Sequence, residues 1–220
     1  MSVTTPMIPR PTPPTAHRLS RIRRAECDSC RIDNRRQHWN ARYSEREHAS
    51  PSAPDLLGLD ADLGALIPTS GRALDIACGR GAQATWLAIQ GLDVVALDVS
   101  DAAVALTAAT ASNAGVSDQV DAKRVDLTDG LPADLGLFDF ILCQRFRNRA
   151  VLTTLVERLS TEGVAFVTVL SAVGLQRSPG NFHASAGELT EIFGCADVEI
   201  VWHQEGDGLA SIVVRRTLRR

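Results

Sequence analysis

The chain has 220 residues, enough for one domain with a sizeable core. Hydrophobic residues make up 45%, charged residues 22%, and the formal net charge is -3, so the basic excess of a nucleic-acid binder is missing. No apolar run reaches the length of a membrane span; neither a nucleic-acid partner nor a membrane is expected. Residues 1–35 stand apart: Met7-Ile8-Pro9-Arg10-Pro11-Thr12-Pro13-Pro14 is followed by Arg18, Arg21, Arg23 and Arg24. So few apolar residues cannot offset the entropy of ordering. A disordered Pro/Arg-rich tail is expected there, with an organelle transit peptide as the alternative, and residues 36–220 read as one folded domain. The five cysteines (Cys27, Cys30, Cys78, Cys143, Cys195) are odd in number and follow no secretory segment, which points to reduced thiols in the cytoplasm. Cys27 and Cys30 form a CxxC, but a structural zinc site needs four ligands and no second pair exists; no metal is assigned.

A short helix is predicted around Trp39 and Tyr43, ending before Pro51, and a second over 55–66, ending before Pro68. The chain then alternates. Strands are predicted at 72–77, 93–97, 120–125, 138–143 and 164–170. Helices are predicted at 82–90, 101–113 and 150–159, with Gly91 and Gly115 as stops and Ser100 as an N-cap. Such alternation implies a parallel sheet covered by helices on both faces. After a helix at 187–193 come strands at 198–203 and 210–215, joined by Gln204-Glu205-Gly206-Asp207-Gly208, a hairpin signal. The sheet is therefore expected to end in one antiparallel pair.

The informative stretch is Ala73-Leu74-Asp75-Ile76-Ala77-Cys78-Gly79-Arg80-Gly81-Ala82, with two glycines between a strand and a helix. Such a turn lets a ligand approach the backbone and aims the helix N-terminus at it. Alone it also fits a dinucleotide site. Asp98 closes the second strand, where a carboxylate can accept two ribose hydroxyls. Asp75 precedes the glycines; it would repel a pyrophosphate and attract an ammonium group. Asp126 closes the third strand, where it can accept from an adenine amine. Three acids at three strand ends suit a cationic nucleoside without phosphates. The plainer reading, that Asp75 and Asp98 are turn or cap residues, stands beside this one.

Asp75-Ile76-Ala77-Cys78-Gly79-Arg80-Gly81, Ala96-Leu97-Asp98-Val99-Ser100, Val125-Asp126-Leu127 and Phe138-Asp139-Phe140-Ile141-Leu142-Cys143 together resemble the successive motifs of class I S-adenosylmethionine (SAM)-dependent methyltransferases. Trp39-Asn40-x-Arg42-Tyr43 and the segment from Asn181 through Gly187-Glu188-Leu189 to Phe193 resemble the small bacterial methyltransferases grouped with tellurite-resistance proteins. The resemblance implies a Rossmann-like α/β fold with a seven-stranded, mostly parallel sheet and a reversed last strand. It implies SAM as cofactor, lying across Gly79 and Gly81, with Asp98 on the ribose, Val99 against the adenine, Asp126 and Leu127 at the adenine edge, Cys143 beside the methionine portion and Arg42 on its carboxylate. Ala77 stands where the motif often has glycine.

The acceptor is less legible. Gln144-Arg145-Phe146-Arg147-Asn148-Arg149 follows the fourth strand and is not the Asn/Asp-Pro-Pro-Tyr motif used on amide or exocyclic nitrogens. Arg147 and Arg149 read as the solvated start of the next helix. Tyr43, Arg145 and His183 are the acceptor-side candidates, and a small-molecule substrate is expected. Two other functions share the glycine turn: an NAD(P)-dependent oxidoreductase, which predicts a substrate domain the sequence has no room for, and a non-catalytic SAM-binding module.

Overall fold

The computed structural model describes residues 28–176, 178–194 and 197–217. Helix α1 (Asp28–Ser44) precedes two 3-10 turns (Asp55–Gly58 and Ala61–Leu66). Then follow β1 (Arg72–Ile76), α2 (Ala82–Ile89), β2 (Asp93–Asp98), α3 (Asp101–Asn113), β3 (Val120–Arg124), β4 (Phe138–Gln144), α4 (Arg149–Thr154), β5 (Leu159–Leu170), α5 (Glu188–Gly194), β6 (Val198–Gly206) and β7 (Leu209–Arg216). The seven strands form one sheet in the order β3-β2-β1-β4-β5-β7-β6. The first five are parallel, and β7 runs antiparallel to both β5 and β6. The β6–β7 turn is Asp207-Gly208, both at positive φ, 49° and 79°, as a two-residue hairpin of the Asp-Gly kind requires. Among the described residues, no helix is long and apolar enough to cross a membrane.

Side chains alternate across a strand with a period of two, and that parity sorts the interior. Leu74, Ile76, Val95, Leu97, Ile141, Cys143, Ala165 and Val167 pack on one face with Val151 and Leu152 of α4 and Leu189 and Phe193 of α5. Ala73, Val94, Ala96, Phe140, Leu142 and Phe166 pack on the other with Ala84 and Leu87 of α2 and Leu56 of the first 3-10 turn. Asp75 and Asp98 share the parity of this second group. Two carboxylates on adjacent strands are thus directed to one face, at the carboxyl end of the sheet.

Three expectations are corrected. Residues 28–35, expected to be disordered, are the first turns of α1; Arg35 there meets Asp126 across the fold, a contact that composition does not show. The second helix is replaced by the two 3-10 turns, since Asp60 caps a new start by accepting from the Asp62 N–H and Gly58 and Gly64 weaken a continuous helix. The helix expected over 150–159 ends at Thr154, tightens into a 3-10 turn (Leu155–Arg158), and yields at Leu159 to a β5 longer than expected. The expected tail before residue 28, with Cys27, lies outside the described residues, as do the side chain of Cys30 and Cys195.

Candidate functional site

The turn after β1 is held from below and from the side. Asp98 accepts from the Gly79 N–H through Oδ2 at 3.0 Å and from the Ser100 N–H through Oδ1 at 2.9 Å. Thr107 and Thr110 of α3 donate to the carbonyls of Gly79 and Arg80 at 3.2 and 2.8 Å. Gly81 takes φ 74° as the N-cap of α2. A Cβ there would lie 2.7 Å from both Cα and Cγ2 of Thr107, so glycine is what lets α3 pack against the turn. The Gly81→Ala variant is expected to lose about 3 kcal/mol, from left-handed strain plus overpacking against backbone. An unchanged urea midpoint would remove that account. Ala77 is itself at φ 58°, a conformation costing a non-glycine residue about 1–2 kcal/mol; this is the physical content of the position where glycine was expected.

Asp75 is 3% exposed, and its Oδ2 has no hydrogen-bond partner among the described residues. Burial, then the neighbouring Asp98, push its pKa up from 3.8 to about 7, against the pull of the Ala84 N–H. Asp98 is also raised, by burial, with its backbone donors pulling the other way. An unsatisfied buried acceptor beside a second acid is a poor arrangement for the protein alone. It suits a cationic ligand that supplies the missing donor. The groups present therefore fit SAM: Asp98 to take ribose hydroxyls on its remaining lone pairs, and Asp75 to face the ammonium end.

Helix α1 covers this turn. Asn40 accepts from the Ser100 hydroxyl at 2.7 Å and from the Ala102 N–H at 3.3 Å, fastening α1 to the start of α3. Tyr43 stacks on Trp39, centroids 6.1 Å apart, and its hydroxyl lies 3.0 Å from where a Cβ on Gly79 would sit. Its pKa is raised, chiefly by burial and then by Asp98. Between α1 and the turn is a cavity of ≈ 590 Å³ whose lining includes Tyr43, His48, Gly79, Gln83 and Arg145, within the ~300–1,000 Å³ range of small-molecule sites.

The structure thus brings Tyr43, Gly79 and Arg145 to the wall of one cavity, while Asp75, Asp98 and Gly81 lie buried in and behind the turn and do not line it. Val99 is half-buried just beyond Asp98, and Leu127 is buried in the core cluster on the α4 face. Cys143 is fully buried, its thiol donating to the Phe146 carbonyl; burial raises its pKa, as it does for Cys78. These two thiols are core residues. Asp126 lies two residues past the end of β3, and its carboxylate already pairs with Arg35 at 3.1 Å and accepts from the Thr128 N–H at 2.9 Å. Arg42 is exposed over the Trp39 ring, 5.4 Å from its centroid, and does not line the cavity. His183 is held in a turn with Gly180 in the loop after β5, away from that lining. Arg147 is not a solvated helix start. It makes a two-pronged pair with Glu188, both bonds 2.8 Å, and Glu188 is 5% exposed. Arg149 does open α4 on the surface, paired with Glu191 at 2.8 Å.

Arg147 holds the Glu188 carboxyl below the usual range, against the opposing effect of burial. The pair's contribution is therefore present above the unfolded glutamate value and is lost as pH falls through the lower native value. Arg147→Met leaves Glu188 buried without its cation, and the expected loss is about 3 kcal/mol at pH 7. Urea denaturation should show that loss in full at pH 7 and a progressively smaller one as pH falls below the ordinary glutamate range; a loss that stays constant down to acid pH would mean that packing, not charge, is involved.

The molecule thus combines a Rossmann-like α/β sheet, a glycine turn and buried acids at adjacent strand ends. Residues 73–163 match the family model described as a methyltransferase domain. One curated relative, the ribosomal RNA small subunit methyltransferase C of Idiomarina loihiensis, is 37% identical over 97 residues, 44% of this chain; the chain spans only about a quarter of that relative's length (26%). Among solved structures, the fold is similar to TehB from Haemophilus influenzae (TM-score 0.62, 18% identity, 73% of this chain and 62% of that one). It is also similar to the magnesium protoporphyrin IX methyltransferase ChlM from Synechocystis PCC 6803 with bound SAM (TM-score 0.63, 15% identity, 88% and 99%). Residues 73–163 thus carry the methyltransferase-domain match, and the fold around them is shared with methyltransferases whose structures hold SAM or S-adenosylhomocysteine.

Proposed function

We propose that this chain transfers the methyl group of SAM to a small-molecule acceptor in the cytoplasm. The observation that carries the reading is the turn itself: Gly79 fixed by Asp98, beside a buried Asp75 oxygen that lacks a donor. Asp98 would hold the ribose, and Asp75 the ammonium of the methionine portion. Tyr43 would close the site from α1 and help exclude water. When bound, SAM supplies a methyl group already activated by the sulfonium, which passes to the acceptor's lone pair as the carbon–sulfur bond breaks and its electron pair stays on sulfur. The protein's share is then alignment, worth on the order of 7–11 kcal/mol. A base is needed only for an acceptor that keeps its proton at working pH. His48 stands on the cavity wall beside Tyr43 and would be a candidate for that role, and nothing in its Ser/Pro-rich surroundings marked it in the sequence.

The small-molecule reading rests on the size of the cavity, the net charge of -3 and the absence of an Asn/Asp-Pro-Pro-Tyr motif after β4. A nucleic-acid acceptor is the second reading, favoured by the ribosomal RNA methyltransferase among the relatives. Calorimetric titration with SAM, S-adenosylhomocysteine (SAH) and NAD tests the cofactor. Micromolar binding of the two sulfur nucleosides without NAD supports the proposal; binding of none leaves a non-catalytic domain, and NAD binding alone an oxidoreductase. Radiolabelled methyl transfer to small thiols and acids, set against structured RNA, then separates the two acceptor classes.

A further inference from the structure

Arg145 lies on the walls of two cavities. One is the cofactor-side space already described. The other, of ≈ 650 Å³, is lined among others by Pro54, Asp55, Leu56, Leu59, Thr168 and Ser211. It opens at the same end and on the same face of the sheet as Asp75 and Asp98, since Thr168 shares the parity of Val164 and Phe166, which pack on that face. Given the methyltransferase reading, on which this rests, we propose that the second cavity receives the methyl acceptor, and that the acceptor is a small anion with an apolar body, Asp55 occupying the anion's place on Arg145 until it arrives.

The two ends of the site sort charge. Behind the glycine turn of the cofactor side lie the buried Asp75 and Asp98, suited to a cation. The wall shared with the second cavity presents a guanidinium. The floor offers polar ligands little, because Thr168 and Ser211 are both buried and already bond each other, hydroxyl to hydroxyl at 3.0 Å. Leu56 is fully buried beside it, while Leu59 is 50% exposed at the rim, leaving apolar surface for an apolar ligand body. Polar recognition in this cavity therefore falls to Arg145, whose planar fork matches a carboxylate or another flat oxyanion.

Asp55 is placed to be displaced. Its N–H donates to Gln144 Oε1 at 2.7 Å, fixing the 3-10 turn at the end of β4. Its carboxylate pairs with Arg145 at 2.9 Å, with the side chains 43% and 67% exposed. An exposed pair of this kind holds weakly, about 0–1 kcal/mol, so a ligand oxyanion can exchange with it. Arg145 also sits at φ 57°, its N–H donating to the Thr168 carbonyl at 2.7 Å. Glycine would occupy that conformation without strain. A long cationic side chain held there against the backbone preference is the pattern of strain kept for function.

The test uses the full-length protein, titrated with SAH and then, saturated with it, with 3-phenylpropionate, 3-phenylpropionamide and 3-phenylpropylamine. The acid is expected to bind at least about tenfold more tightly than either the amide or the amine. Asp55→Asn frees the guanidinium and is expected to tighten acid binding severalfold, up to about fivefold for the loss of a surface pair. Arg145→Gln is expected to abolish the preference for the acid. Arg145→Gly, which relieves the backbone, should abolish it too and keeps the test valid should the glutamine variant fold poorly. A purely structural pair predicts the opposite for Asp55→Asn: lower stability and no gain in acid affinity. Normal SAH binding with equal affinity for acid and amide, or with no gain in Asp55→Asn, overturns the proposal while leaving the methyltransferase reading in place. Absence of SAH binding overturns that reading, and the acceptor assignment with it.

Discussion

Replacing Asp98 by asparagine is expected to weaken SAH binding by about 100-fold. The carboxylate would accept both ribose hydroxyls, and a hydrogen bond to a charged group contributes about 1.5–3 kcal/mol. Losing most of two such bonds is about 3 kcal/mol, or two orders of magnitude in affinity. The same oxygens also accept from the Gly79 and Ser100 N–H groups. Asparagine keeps one acceptor oxygen and turns an NH2 toward the other donor. Alanine removes both acceptors in a site only 6% exposed at Asp98. An unsatisfied buried donor costs about 1–3 kcal/mol, so Asp98→Ala is expected to lose roughly 3 kcal/mol of stability as well as the ligand. The alanine variant is therefore a poor test of the ribose contact, and the asparagine variant, checked for its own urea midpoint, a better one. Calorimetry with SAH on the wild type and Asp98→Asn reads the result. Equal affinity would show that Asp98 serves only to shape the turn.

The strands were legible because each is a short run with one fixed parity. The same parity places Asp75 and Asp98 on a common face, so the pairing of the acids was readable once the strands were placed. The Gly79–Gly81 turn was readable for a related reason: residues at positive φ have few options, and glycine is the chief one. Arg145 and Ala77 take such φ values without glycine, which is why their backbone conformation left no trace in the sequence. What covers the site was hidden. Arg35 meets Asp126 over a separation of 91 residues, Asn40 meets Ser100 over 60, and Arg145 meets Asp55. Contacts of this kind depend on how α1 and the 3-10 turns pack. Arg35 carries a mechanical consequence too, because it occupies the carboxylate assigned to the adenine amine. Seating an adenine on Asp126 requires Arg35 to withdraw or to share that carboxylate.

SAH or SAM binding is expected to release a proton near pH 6, through Asp75. In the ligand-free protein this carboxyl titrates at about 7 instead of 3.8, because it is buried and faces Asp98. The folded state thus holds a proton between those two values that the unfolded chain has given up. Stability should then be highest at the acid end of that window, fall as pH rises from about 4 to 7, and level off above. At 1.36 kcal/mol per pH unit the whole fall is about 4 kcal/mol for this group alone. A ligand ammonium beside Asp75 favours the ionised form, so binding below pH 7 must expel the proton and affinity should rise with pH until Asp75 is already ionised. Asp75→Asn separates these effects. The neutral amide removes the buried charge, so the ligand-free variant should be more stable than the wild type at pH 8. It should also bind SAH more weakly, with little pH dependence between 5 and 7. Calorimetry at pH 6 in two buffers of different ionisation enthalpy counts the protons directly. A count near one in the wild type and near zero in Asp75→Asn assigns the titration to Asp75. Equal counts in both would place it on another group, and Asp75 would then be a buried acid held by the Ala84 N–H alone, with no part in meeting the ammonium.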